Sequence, residues 1–329
     1  MDLNMIKKIT GASGVSAGEL ILIHFWGEDA EKTIANQFME AVASFGATPM
    51  LLQQSRTVNR DIFVAADERC FDRRYFDLLS NFDAVLDVFA YRPVILGCEI
   101  GEEKTGLYRS YMARLFSVLM NCKRFTQIRI PTAANAEESG LAAGEYISRM
   151  TRAYDVEYSV IKAACGERAE KLGRTDRLVL QTGTDCRLRF DLSGRAWQID
   201  AGDGDFPCGE VYIAPVEGAT NGEVFFEKLY LEDAGVFEHV TLSVENGRIS
   251  GSDQESVNGF LRGLSEESRV VCELGFGMNP NVSDLCGYTV LDEKMAGSFH
   301  IAIGANTMFG GKNDAPVHMD FVGAGQILL

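Results

Sequence analysis

The sequence predicts an α/β N-terminal domain with an open, mostly parallel sheet, followed by a strand-rich α+β C-terminal domain. Three observations carry this. The chain of 329 residues exceeds what one hydrophobic core usually serves. Up to about residue 165, apolar runs alternate with segments of helical spacing, the pattern of a parallel sheet. From residue 177 the runs become short, alternating and glycine-punctuated, the pattern of antiparallel strands and hairpins. The expected domains are 1–165 and 166–329, with the second carrying the functional site.

The elements follow in order. LILIHF at 20–25 reads as a buried parallel strand. Residues 29–46 form a helix with Ile34, Phe38, Val42 and Phe45 at helical spacing and Gly46 as its stop. ATPMLLQQ completes a βαβ unit. The glycine-rich lead GASGVSAG precedes the strand, whereas a phosphate-binding loop must follow a strand and open a helix, so nucleotide binding is rejected there. His24 lies inside the first strand and reads as a packed histidine. Helical spacing returns at 72–80, a strand at 82–91, a helix at 104–121, a strand at 125–131, and two helical pieces over 136–165. Then come RLVLQTG, CRLRFDLSG, RAWQIDAGDG and GEVYIAP as strands, GEVFFEKLY at 222–230, and a hairpin at 239–251 turning on Asn246-Gly247. A helix is expected around 253–264. Phe225 and Phe226 read as core.

A net charge of −16 argues against sequence-independent nucleic-acid binding and against adhesion to anionic membranes. No stretch approaches the length of a membrane span, and MDLNMIKKITGAS lacks the apolar run of a signal peptide. The eight cysteines form no C-x-x-C pair and lie in apolar or regular stretches, which predicts free thiols in a reducing cytoplasm.

The last quarter concentrates the chemistry. His300, His318 and Asp320 lie there, and His318 and Asp320 form an H-x-D pair that a strand presents on one face. Glu273 opens the stretch and Glu293 stands seven residues before His300. Imidazole with carboxylate suits a divalent transition metal, and buried acids need a partner or a metal. The alternative is a strand with one buried polar pair. Glycines at 275, 277, 287, 297, 304, 310 and 311 suit close backbone approach around a site. Glu210 begins a strand and, on its own, reads as an exposed strand-start glutamate.

Six strings in order, TGTDCRLRFDLSGR, GEVYIAPVEGATNGEVFF, VENGRISG, ELGFGMNPN, LDEKMAGSFHIAIG and HMDFV, resemble the thermophilic-type metallo-aminopeptidases, aminopeptidase T and aminopeptidase S. The resemblance is strong over 177–322 and weaker before it. It implies a homodimer with a two-ion site of Zn, Co, Mn or Mg held by Glu210, Glu273, His300, His318 and Asp320. One feature departs from the family: its metal-site tyrosine, seven residues after the first histidine, is Thr307 here. The same family includes 2,5-dihydroxypyridine dioxygenases, which open an aromatic ring with one Fe(II) on two histidines and an aspartate. Their other histidine lies about fifty residues before the H-x-D, where this chain has none.

The resemblance thus implies a metal-dependent aminopeptidase-like hydrolase that removes N-terminal residues from peptides or small amides through a metal-activated water. Glu273 and Glu293 are the candidate general bases, although Glu293 could equally pair with Lys294. The alternative is a single Fe(II) on His300, His318 and Asp320. A third reading is a non-catalytic binding protein, in which Glu210 would point to solvent.

Overall fold

A computed structural model describes residues 1–93, 96–97, 100–231 and 234–328, with the backbone alone at 138. Through residue 154 the elements run α1 (Leu3–Ala12), β1 (Leu20–Trp26), α2 (Lys32–Ser44), β2 (Thr48–Gln53), α3 (Arg56–Ala65), α4 (Arg73–Leu79), β3 (Ala84–Phe89), α5 (Glu102–Met120), β4 (Arg124–Arg129), α6 (Ala133–Ser139) and α7 (Ala143–Tyr154). After them come α8 (Tyr158–Leu172), β5 (Arg177–Thr182), β6 (Cys186–Asp191), β7 (Gln198–Asp200), β8 (Asp205–Phe206), β9 (Glu210–Ile213), β10 (Asn221–Leu231), β11 (Gly235–Glu245) and β12 (Arg248–Ser252). The chain closes with α9 (Glu255–Arg262), β13 (Val271–Gly277), α10 (Thr289–Asp292), β14 (Ser298–Gly304), β15 (His318–Ala324) and β16 (Gln326–Leu328).

The chain divides into two compact units, Met1–Tyr158 with Gly202–Pro207, and Ser159–Ala201 with Cys208–Leu329. The boundary expected after residue 165 falls inside α8, which is one uninterrupted helix, and the division lies at its start. The two helical pieces expected over 136–165 are three helices, because Gly140 takes a left-handed conformation and ends α6 before α7 begins.

The first unit holds a five-stranded sheet in the order β2-β1-β3-β4-β8, parallel throughout. β1 and β3 are central, and their continuous apolar runs are buried on both faces. RAWQIDAGDG, expected as an antiparallel strand, supplies β7 to the second unit, but the Asp205–Phe206 strand that follows joins the parallel sheet beside β4. Sequence reading assigned no element to 3–12, where Asp2 caps α1 by accepting from the Met5 amide, or to 56–65, where Ser55 caps α3. His24 is a packed histidine, as expected. It is fully buried, with Nδ1 2.8 Å from Asp87 Oδ1, which also accepts from Trp26 Nε1 at 2.9 Å.

The second unit contains two antiparallel sheets, ordered β12-β11-β10-β6-β5-β16 and β15-β14-β13-β9-β7. Leu274, Phe299, Ile301 and Phe321 line one face of the five-stranded sheet and are buried. Phe226 of β10 packs there, its ring 5.6 Å from Phe299 and 6.4 Å from Phe321. Phe226 is therefore core, while Phe225 points the other way, half-buried and stacked 6.2 Å from His239. β13 and β14 are buried along their whole length, so the opposite face is covered too.

Seven cysteines, at 70, 122, 165, 186, 208, 272 and 286, are free thiols; Cys98 lies outside the described residues. Among the described residues, no helix is long and apolar enough to cross a membrane.

The β11–β12 hairpin turns at Asn246 (φ 49°) and Gly247 (φ 75°), the two positive angles that a tight type I′ connection requires. A Cβ at Gly247 would also lie 2.4 Å from the Gly218 amide nitrogen. Gly247→Ala should therefore destabilise the protein by about 1–3 kcal/mol. Gly106→Ala, in α5 with nothing within 4 Å of the added carbon, should be neutral or stabilise by up to about 1 kcal/mol. Urea titration of both variants reads the contrast, and equal effects would overturn the turn assignment.

Candidate metal centre

The covered face of the five-stranded sheet is built by strand register. Directly opposed residues of antiparallel neighbours share a face. His300 on β14 is opposite Gly275 on β13, and Gly275 is opposite Tyr212 on β9. One step along, Ala302 lies between Glu273 on β13 and Asp320 on β15. One step the other way, Glu210 on β9 lies between Gly277 and Asp200 of β7. His318 is opposite Gly304, on the same face as Asp320. The face therefore carries Asp200, Glu210, Glu273, His300, His318 and Asp320, spaced by small residues.

Two glycines make the room. A Cβ on Gly275 would come within 1.9 Å of His300 Nε2, so the imidazole lies across β13 where a side chain would otherwise stand. A Cβ on Gly277 would come within 2.1 Å of the Met295 carbonyl, so the 294–295 backbone presses directly on the sheet.

Glu273 is the hub. Its Oε1 is 3.1 Å from His300 Nε2 and its Oε2 is 3.4 Å from His318 Nε2. His318 Nε2 also lies 3.6 Å from Asp320 Oδ2, and His300 Nε2 lies 3.7 Å from Glu210 Oε2. Glu273, His300 and Asp320 offer ligand atoms that all lie within 4.8 Å of one another. Glu210, which reads in isolation as an exposed strand-start residue, is 8% exposed and belongs to this cluster because β13 and β7 flank its strand. Its Oε1 is 2.5 Å from Lys294 Nζ, and its Oε2 has no hydrogen-bond partner. Glu293 is paired with Lys294 at 2.9 Å.

The His318 ring is fixed by its neighbours. Its Nδ1 donates to the Ala305 carbonyl at 2.8 Å, which turns Nε2 toward Glu273 and Asp320. The loop bearing Ala305 is pinned through Asn306, which donates to the Cys272 carbonyl at 3.2 Å and to Glu217 at 3.1 Å. The His318 side chain is 35% exposed, so the centre opens to solvent along β15. Phe309 stands edge-on to both His318, at 5.9 Å, and Tyr212, at 5.5 Å. Thr307, two residues before it, is exposed.

The electrostatics call for a cation. Burial pushes the Glu210 carboxyl up to about 8, against the opposing pull of Lys294. Burial likewise raises Glu293. Burial alone would lower His300, but the Glu273 hydrogen bond and the charges of Glu210, Glu273 and Asp320 carry it up to about 9. His318 is raised to about 12 against its burial by the hydrogen bonds to Asp320 and Cys272. Burial would raise Asp320, yet the hydrogen bond from His318 and the two imidazolium charges hold it below the usual range. The acids recruit protons onto the histidines, a role that a divalent ion fills better. The donor set of imidazole and carboxylate fits such an ion.

Sequence reading missed Tyr212 and Asp200. Tyr212 follows Glu210 by two on a strand, the same spacing that linked His318 to Asp320, so this signal was available. Burial and the charges of Glu210 and Glu273 raise its phenol. Asp200 arrives through strand pairing, which no local spacing predicts. A cavity of about 880 Å³ lies elsewhere, in the first unit between residues 67–76 and α5; none of its lining residues is a histidine.

Two solved structures share the fold. The 2,5-dihydroxypyridine dioxygenase from Pseudomonas putida KT2440 aligns with a TM-score of 0.69 at 15% identity, over 99% of this chain and 93% of its own. AmpT from Thermus thermophilus aligns with a TM-score of 0.67 at 17% identity, over 99% of this chain and 97% of its own. No match was found among curated proteins. The model of the thermophilic metalloprotease family (M29) matches residues 19–324, nearly the whole chain including every residue of the centre, and the chain therefore belongs to that family.

Proposed function

We propose that this protein is a metal-dependent, aminopeptidase-like hydrolase acting on short peptides or small aminoacyl amides. The observation that carries the reading is Glu273 standing between the two histidines, 3.1 Å from one and 3.4 Å from the other. Family membership and the fold shared with AmpT support it. A divalent ion bound here lowers the pKa of a water toward neutrality and polarises a carbonyl.

The chain's own residues do the rest. Glu273, His300, His318 and Asp320 would hold the ion, with the Ala305 carbonyl orienting the His318 ring. Glu293 is the better general base of the two glutamates. Glu273 is engaged by both imidazoles, whereas Glu293 pairs, among the described residues, with Lys294 at 2.9 Å, and burial raises its carboxyl above the ordinary value. Tyr212 and Phe309 form an aromatic wall beside the open side, suited to an apolar substrate group. The single-Fe(II) ring-opening alternative needs three open positions around His300, His318 and Asp320. Glu273 contacts both histidines and would add a carboxylate to that set, which favours the hydrolase. The proposal carries with it a homodimer, supported by the family resemblance, and a reducing cytoplasm, supported by the free thiols.

Activity should vanish on chelation and return with Zn, Co, Mn or Mg, measured as release of the leaving amine from aminoacyl anilides. Failure with every one of these ions, together with consumption of 2,5-dihydroxypyridine by anaerobically loaded Fe(II) protein, would replace the hydrolase with the oxygenase.

His318→Ala should lower metal affinity by at least about 10–100-fold, the cost typical of losing a mere supporting partner. Its melting temperature without metal should shift only modestly, since His318 is partly exposed. Unchanged metal content with a large melting shift would make His318 structural.

Metal binding must displace the protons held on His300 and His318, so apparent affinity should rise with pH from 6 through about 9. The sign for the metal-free protein is opposite. The His300 contribution to stability is complete below about 6.5 and is lost as pH rises through about 9. Calorimetry in buffers of differing ionisation enthalpy reads the released protons; affinity that is flat across this window would refute the assignment.

A further inference from the structure

The lysine of the centre is as closely built in as its acids. Lys294 is 1% exposed, and its Nζ lies 2.5 Å from Glu210 Oε1, 2.9 Å from Glu293 Oε1 and 3.7 Å from Asp200 Oδ2. These carboxylates come from β9, from the turn after α10, and from β7. Buried oxygens converging from three segments are what a divalent cation would take. Here the chain supplies the positive charge itself.

The ammonium is fixed from behind. The Lys294 carbonyl accepts from the Asn279 amide at 2.8 Å, and the Lys294 amide donates to Leu291 at 3.0 Å. The Ala296 amide donates to the Asn279 carbonyl at 3.1 Å, so the strand end beyond Gly277 clasps this turn on both sides. The backbone at 294–295 rests on Gly277 with no space for a Cβ. Withdrawing the ammonium would take a buried counter-charge away from Glu210, Glu293 and Asp200, which is strongly unfavourable. On the other half of the face, Glu273, His300 and Asp320 present their ligand atoms within 4.8 Å of one another, with His318 3.4 Å from Glu273.

We propose that the Lys294 ammonium is a built-in second cation of this centre: it fills the side formed by Asp200, Glu210 and Glu293, so the chain takes one divalent ion, not two. The inference rests on the metalloenzyme reading above and refines it. Glu210 then serves as a positioning residue. One of its oxygens holds the ammonium while the other faces His300 Nε2 at 3.7 Å. A fixed charge keeps Glu210 and Glu293 from ligating a second ion and holds the Glu293 carboxylate in place.

The test is metal counting on the full-length chain, dialysed with saturating Zn²⁺, freed of excess metal, and assayed by elemental analysis against protein concentration. Wild type should bind one zinc per chain. Lys294→Met, of similar length and uncharged, should bind two, because the three carboxylates are released. If that variant does not fold, Lys294→Gln, which keeps hydrogen-bond donors, takes its place with the same expectation. X-ray absorption of the cobalt-loaded wild type gives an independent reading, expected to lack a metal–metal distance of about 3.5–4 Å. Two ions in the wild type, or that distance in its spectrum, would overturn the inference while leaving the metalloenzyme intact. One ion in both wild type and the folded variant would overturn the role of Lys294. No ion in the wild type with Zn, Co or Mn would overturn the metalloenzyme reading itself, and the inference with it.

Discussion

The second unit depends on one electrostatic constraint. A largely buried sheet face carries Asp200, Glu210, Glu273 and Asp320, with Glu293 beside them, and the permanently charged Lys294 contacts three of these acids. Buried carboxylates in such number are tolerated only when a counter-charge is present. In the metal-free protein the histidines provide part of it by staying protonated, and Lys294 provides a further part. The site is thus an unfinished charge arrangement, and binding a divalent ion completes it at the expense of the protons.

That arrangement is held by rigid elements. The acids and histidines project from five hydrogen-bonded strands whose opposite face is packed on Phe226, and ligands on such strands move little relative to one another. The loops only trim the geometry. Ala305 orients His318, Asn306 and Glu217 tie that loop back to β13, and the turn at 294–295 seats the lysine. Glycine at 275 and 277 is what lets a ring and a backbone segment occupy the space that side chains would fill. The chemistry therefore depends as much on missing side chains as on the ligands.

The same fold is found in AmpT and in a 2,5-dihydroxypyridine dioxygenase, so fold alone does not choose a reaction class. The choice lies in the number and kind of charges on one sheet face. A carboxylate between two histidines and a lysine between three acids are features of this chain's centre that bear directly on metal number and reaction class.

Much of this was legible in the amino-acid order. Continuous apolar runs such as LILIHF, helical spacing in 104–121 and the Asn-Gly turn at 246–247 are local signals, because helix, strand and turn preferences act over a few residues. The H-x-D pair was legible for the same reason, since a strand repeats every two residues. What lies beyond that range was decided by tertiary structure. Glu210 in isolation resembles any strand-start glutamate, and its burial follows from β13 and β7 closing on either side. Asp205–Phe206 reads as part of the antiparallel domain, yet it pairs with β4, because pairing depends on which strand edge is available in three dimensions. Lys294 is adjacent to Glu293 in sequence, but its bond to Glu210 spans 84 positions. Local preference determined which segments became strands; only their side-by-side register determined which charges had to share one buried face, because desolvation acts on neighbours in space.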